Sequence, residues 1–236
     1  MLELLRNKKI LIVVAHPDDE ILGLGATLHK LINQYNVTTR VIILGEGITS
    51  RSDNRDTKLW EKELELHRSN IYKAQKAIGY HSVGIYDFPD NRFDSVALLD
   101  IIKVVEKEKA EFGPDVVFTH HGGDVNVDHQ KTFEAVVTCC RPMEHEMVKT
   151  IITFETMSGT EWRASTDPRN FIPNFFISVD EEDLNSKITA MESYEFEKRK
   201  YPHPRSPEAL KIVAQRWGVA NGINYAEAFC LVRNIS

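Results

Sequence analysis

Cysteine is scarce in this chain: three among 236 residues, an adjacent pair at Cys139 and Cys140 and a distant Cys230. They form neither a CxxC zinc pair nor an even disulfide set, so buried thiols in a reducing compartment are expected. Apolar runs of the roughly 18 residues needed to span a bilayer are missing, and the short, charged start from Met1 to Lys9 has no cleavable leader. A soluble, cytoplasmic protein is the expectation. No dense Lys/Arg cluster offsets the net charge of -6, which removes the footprint that duplex binding needs and leaves nucleic acid an unexpected partner. Internal repeats, linkers and low-complexity segments are absent as well. The turn after the first apolar run lacks the GxGxxG that would cradle a dinucleotide.

What is present is alternation. With 42% hydrophobic residues, the chain is long enough to bury one sizeable core, and residues 1–236 are read as a single domain. Lys8 to Ala15 is an Ile/Val-rich run, the pattern of a strand buried on both faces. A helical period follows from Glu20, with Gly23 and Gly25 placed to let that helix lie close to a sheet. Further strands are expected at Val37–Leu44, Val83–Tyr86, Asp115–Thr119 and Val148–Phe154, with helices between them. The pattern predicts an α/β fold, a doubly wound, mostly parallel sheet with helices on both faces. The last third is less regular: a polar loop over Ser158–Asn174, an extra strand at Phe175–Val179, and helices at Glu181–Lys198 and Ser206–Ala220. Between those helices, Tyr201-Pro202-His203-Pro204-Arg205 cannot be regular helix.

The chemistry concentrates in Ala15-His16-Pro17-Asp18-Asp19-Glu20, on the turn directly after the first strand. A neutral imidazole and a carboxylate are ligands that zinc accepts, and a second carboxylate beside the metal can act as a base. In doubly wound sheets, ligands bind beyond the carboxyl ends of the strands. His16 and His120 each follow such an end, so two histidine-bearing segments far apart in sequence are expected on one edge. Asp128-His129 opens a helix on that same edge.

These two motifs, AHPDDE and Asp128-His129 preceded by His120-His121-Gly122-Gly123-Asp124-Val125-Asn126, resemble the PIG-L or LmbE-like family of zinc-dependent N-deacetylases, in its bacterial branch. The resemblance covers most of the chain. It implies a Rossmann-like fold, hydrolysis of the acetamido group on a GlcNAc-like sugar or its conjugate, and Zn2+ as cofactor, with another divalent first-row ion open on the same donors. It makes His16, Asp19 and His129 the metal ligands and Asp18 the general base. Asn126 departs from the pattern, because many members carry a histidine there to stabilise the oxyanion or protonate the leaving group. His203, held between two prolines, or His121 is expected to fill that role. Arg51, with Arg55 as near competitor, and Asp90 occupy positions that resemble sugar contacts, and His121 and Asn126 are placed with them on the substrate side.

Other residues have plainer readings. Glu20 is assigned to the positive end of the following helix. His67, in the apolar stripe Trp60, Leu64, His67, Ile71, Ala74 and Ile78, is read as a partly buried core histidine, and His29, His81 and His145 as surface residues. Trp162, an aromatic in a polar loop, is a candidate for stacking on a sugar ring. Two rival functions remain on sequence grounds, a metal-dependent phosphoester hydrolase and a non-catalytic sugar- or nucleotide-binding module. The partner is a small N-acetylated molecule; a homo-oligomer is compatible with the fold class.

Overall fold

The layering follows from the first strand. In the computed structural model, which describes residues 2–235, β1 (Lys9–Val14) sends Ile10, Ile12 and Val14 into one apolar layer and Leu11 and Val13 into another. A strand buried on both faces requires neighbours at both edges and helices above and below. β2 (Thr38–Gly45) and β4 (Val116–His120) flank it in parallel. Beyond them lie β3 (Ser82–Phe88), parallel to β2, and β5 (Thr150–Phe154), parallel to β4. Helices α1 (Asp19–Tyr35), α2 (Glu61–Ile78) and α5 (Glu181–Glu192) contribute to the first layer. Helices α3 (Leu98–Phe112) and α4 (Val127–Cys139) contribute to the second. This is the expected α/β architecture. Among the described residues, no helix is long and apolar enough to cross a membrane.

The sheet has seven strands in the order β3-β2-β1-β4-β5-β7-β6, with β6 (Phe175–Ser178) at one edge. β7 (Ala226–Asn234) runs antiparallel to both β5 and β6 and was not anticipated from the sequence. Its inner face carries Glu227, whose carboxylate pairs with Lys187 of α5 at 2.5 Å. That charge interrupts the apolar run by which a buried strand is otherwise recognised. α6 (Pro207–Ala220) packs against β7.

Other expectations shift in detail. Gly23 does sit against the sheet: a Cβ there would lie 2.2 Å from the Phe154 ring. Gly25 instead faces Lys187, so it admits α5 and not a strand. α5 stops at Glu192, six residues before the expected Lys198, and Tyr194 turns inward with no exposed surface. His29 is half-buried and pairs with Asp183 at 2.8 Å. His81 accepts from the Thr39 amide. Of the cysteines, Cys139 and Cys140 are buried, whereas Cys230 is only partly so.

Strand order reverses beside β1, with β2 on one side and β4 on the other, and this opens a crevice at their carboxyl ends. The turn after β1 and the start of α4 both deliver side chains into it.

Candidate functional site

α1 begins with Asp18 in a left-handed conformation at φ 102, a position rarely taken by a residue with a side chain. The Asp18 carbonyl accepts from the Ile21 and Leu22 amides, so the backbone starts the helix while the carboxylate makes no capping bond. The side chain is left for other work. Glu20, fully buried, supplies what the turn needs: Oε2 accepts from the Asp18 amide at 3.2 Å and Oε1 from the Tyr194 hydroxyl at 2.6 Å. Burial pushes its carboxyl up to about 7, with the Tyr194 hydrogen bond acting the other way.

Asp19 Oδ2 is the hub. It lies 3.4 Å from His16 Nδ1 and 3.3 Å from His129 Nε2. Burial opposes the charge of Asp19, yet the neighbouring His129 and His120 hold its carboxyl well below the ordinary range. Behind each imidazole stands another carboxylate. His16 Nε2 is 2.9 Å from Asp128 Oδ2, and His129 Nδ1 is 3.2 Å from Asp124 Oδ2. Asp128 is fixed by the Phe93 amide, and Asp124 by the Thr160 hydroxyl and the Asn126 amide. Burial disfavours protonation of His129, but Asp19 and Asp124 outweigh it and raise the ring to about 9.

His120 is excluded from the ligand role by its own bonds. The Ala15 amide donates to Nε2 at 2.9 Å, which assigns the ring proton to Nδ1, facing the Thr156 hydroxyl at 2.9 Å. Burial lowers this ring to about 3, and it stacks on His129 with centroids 3.9 Å apart. His120 therefore supports the second histidine from behind.

The donor atoms of His16, Asp19 and His129 lie within 4.8 Å of one another. Both His129 nitrogens are buried without a hydrogen-bond partner among the described residues. Orphaned imidazole nitrogens facing a carboxylate are what a metal centre requires, and carboxylates behind the histidines are its usual support. The residues fit a divalent ion. A second grouping of His16, Asp90 and Asp128 shares the same imidazole; there Asp90 Oδ1, 3.5 Å from His16 Nε2, accepts from the Asn91 side-chain amide, and Oδ2 accepts from the amide and hydroxyl of Ser50.

A cavity of about 290 Å3 opens over this corner, and Asp18, Arg51, Asp90, Asn126, Trp162 and His203 all line it. Asn126 caps α4, accepting from the Asp128 amide, while Nδ2 donates to Asn91. Arg51 is anchored to Glu197 and the Phe196 carbonyl. Arg55 is turned to Glu46 through two bonds at 2.8 Å and also donates to the Asp87 carbonyl. His121 is not brought in: its Nε2 bonds the Arg169 carbonyl, away from the cavity lining.

Sequence reasoning missed four contributors. Arg205, Glu197 and Ser158 reach the cavity from the last third, and nothing periodic marks them. His67 is the fourth: buried as expected at 2 % exposed and packed edge-on against Tyr194 and Phe196, it also borders this cavity and a neighbouring one of about 270 Å3. Neither of its nitrogens has a partner among the described residues. Its place in an apolar stripe hid it.

A doubly wound sheet with a histidine–carboxylate cluster at its switch point, topped by a polar cavity, is an arrangement suited to metal-assisted hydrolysis. The chain belongs to the PIG-L family, described as GlcNAc-PI de-N-acetylase, which matches residues 11–140. The uncharacterized deacetylase YaiS of Escherichia coli K12 is 29% identical over 194 residues, covering 80% of this chain and 91% of that protein. Among solved structures, the N,N'-diacetylchitobiose deacetylase of Pyrococcus horikoshii superposes with TM-score 0.71 at 16% identity, over 96% of this chain and 84% of that one. The 4-carboxy-2-hydroxymuconate hydratase GalB of Pseudomonas putida KT2440 gives 0.75 at 19%, over 97% and 98%. The fold thus houses more than one reaction, and the site has to choose among them.

Proposed function

We propose that this protein is a zinc-dependent hydrolase that removes the N-acetyl group from a GlcNAc-like amino sugar or its conjugate, releasing acetate. One observation carries the reading. Asp18 Oδ2 is buried and accepts no hydrogen bond among the described residues, beside two imidazoles and a carboxylate whose donor atoms converge. Two histidines and one aspartate would hold the ion, and when bound it supplies a water acidified to about pKa 7 and a polarised amide carbonyl.

The chain's own groups do the rest. Asp18, whose Oδ2 makes no hydrogen bond among the described residues, takes the proton of the attacking water and passes it toward the amine nitrogen. Asp128 accepts from His16 Nε2 and fixes its tautomer, and Asp124, 3.2 Å from His129 Nδ1, sets the charge around the second ring. His203 stands in for the histidine that Asn126 replaces. Its Nδ1 accepts from the Arg205 amide at 3.1 Å, which leaves the proton on Nε2 as a donor for the oxyanion. Arg51, Asp90 and Asn126 face the sugar from the cavity wall. The three free thiols support a reducing, cytoplasmic setting.

The test is acetate release from N-acetylglucosamine, its 1-phosphate, UDP-N-acetylglucosamine and diacetylchitobiose. Zinc-loaded protein is compared with Asp18→Asn and a chelated control. Release that needs both the metal and Asp18 supports the reading. Undiminished release from Asp18→Asn removes the assigned base, and a metal-replete protein silent on every member removes the GlcNAc-like substrate class.

A further inference from the structure

One guanidinium stands against Asp18 without bonding it. Arg205 Nη1 lies 3.0 Å from Asp18 Oδ2, off the hydrogen-bond axis, so that this oxygen keeps its lone pairs. No other side chain makes an ion pair with Asp18 among the described residues. Arg205 is itself held firmly: Nε donates to the Ser158 hydroxyl at 2.7 Å, and Nη1 pairs with Glu197 Oε2 at 2.5 Å. Glu197 is gripped from its other side by Arg51, through Oε1, also at 2.5 Å.

The charges of this chain alternate: Arg51, Glu197, Arg205, Asp18. Glu197 alone would need only one guanidinium. Two arginines and one glutamate leave a single positive charge, and Asp18 is the group that balances it. The Arg205 side chain is 22% exposed and that of Glu197 11%, so the network lies where screening by water and salt is weak. It also joins segments far apart in the chain, the loop after β2, the loop after β5 and the connection from α5 to α6, onto a residue whose backbone is strained.

We propose that Arg205 is a positioning residue for the catalytic base, and that Glu197 anchors Arg205 for that task. The inference rests on the deacetylase reading through the role of Asp18. A charge contact that is not a hydrogen bond holds the carboxylate in place while leaving its oxygen free to receive a proton. A neutral hydrogen-bond donor at position 205 would occupy that oxygen, and an apolar residue would release the side chain. Pro202, His203 and Pro204 then acquire a second use, since the His203 ring fixes the Arg205 backbone amide.

The experiment compares Arg205→Gln, Arg205→Lys and Glu197→Gln with Asp18→Asn and the unsubstituted protein. Arg205→Gln is expected to lose about 100-fold in kcat with KM changed less than about threefold, the scale of a misplaced catalytic group. Glu197→Gln is expected to lose about tenfold, and Arg205→Lys to recover part of the Gln loss, because an ammonium keeps the charge but not the planar fork. Zinc affinity, titrated with the metal alone, should stay within about twofold, since Arg205 makes no hydrogen bond or ion pair with His16, Asp19 or His129 among the described residues. A crystal structure of Arg205→Gln should show the Asp18 carboxylate rotated or divided between rotamers.

Loss in Asp18→Asn with full activity in Arg205→Gln overturns the proposal and leaves the deacetylase reading standing. Full activity in Asp18→Asn overturns the base assignment instead, and the crystal structure then decides about Arg205. An unmoved Asp18 carboxylate in that structure overturns the positioning role whatever the kinetics. Should Arg205→Gln fail to fold, Glu197→Gln and Arg205→Lys carry the same comparison.

Discussion

The floor of the cavity and its outer wall are held by different means. His16, Asp19 and His129 hang on the end of β1 and the starts of α1 and α4, and Asp128 braces His16 across the two. Glu197, His203 and Arg205 belong to a connection with no regular structure, where Glu197 and Arg205 are held by ion pairs and hydrogen bonds to Arg51, Asp18 and Ser158, and His203 accepts from the Arg205 amide. The floor draws its rigidity from a sheet packed on both faces, whereas the wall draws it from polar contacts. A converging set of donor atoms sits on the first and irregular chain on the second, the division expected when loops carry specificity over a fixed scaffold.

The comparison breaks most visibly at the floor. Asp19→Ala removes the hub oxygen, and acetate release is expected to fall by more than about 1,000-fold, with bound zinc lost in elemental analysis. Retained zinc and activity would mean that the centre lies elsewhere in the cavity. A smaller but still large effect belongs to the wall. Burial lowers the His67 ring from 6.5 to about 4. Between those pH values the unfolded chain binds a proton that the folded chain does not, so the stability contributed by the neutral ring is present above pH 6.5 and is lost as pH falls toward 4. His67→Phe keeps the edge contacts to Tyr194 and Phe196 and abolishes the titration. Its advantage over the unsubstituted protein in urea melts should grow through that window to on the order of 1–3 kcal/mol. A gap that does not change with pH would show that His67 takes up protons in the folded state.

Two milder substitutions sharpen the contrast. Gly23→Ala drives a methyl into the Phe154 ring under the metal corner and should cost about 1–3 kcal/mol in thermal unfolding. Zinc affinity should fall with it, because α1 carries Asp19; unchanged affinity would separate the corner from the helix beneath. Trp162→Ala acts on the rim. That indole is 58% exposed beside the cavity, and its loss should raise KM by roughly three- to tenfold with kcat preserved. An equal fall in kcat would give Trp162 a place in the chemistry.

The floor was readable in the sequence because each of its parts is local. An apolar strand, a turn and a helix start put His16, Asp18 and Asp19 within four residues, and Asp128-His129 repeats the arrangement at β4. The layering, a mostly parallel sheet with helices on both faces, followed from the same alternation. The wall was not readable. Arg205 and Asp18 are matched only by charge, which leaves no period and no spacing to find. The Pro-His-Pro turn drew the eye to His203, one proline away from the guanidinium that reaches the base. Glu227 disguised β7 in the same way, since a charge satisfied by a distant lysine looks in sequence like an exposed one. Glu20 was placed at a helix end, which is right for its position and incomplete for its bonds to Tyr194 and Asp18.

β6 pairs with β7 and with no other strand of the sheet, and the segment carrying Glu197 and Arg205 is strung between them. The segment that brings Arg205 to Asp18 is therefore fixed at both ends by one antiparallel pair at the sheet's edge, whereas the turns with His16 and His129 follow parallel strands in its middle.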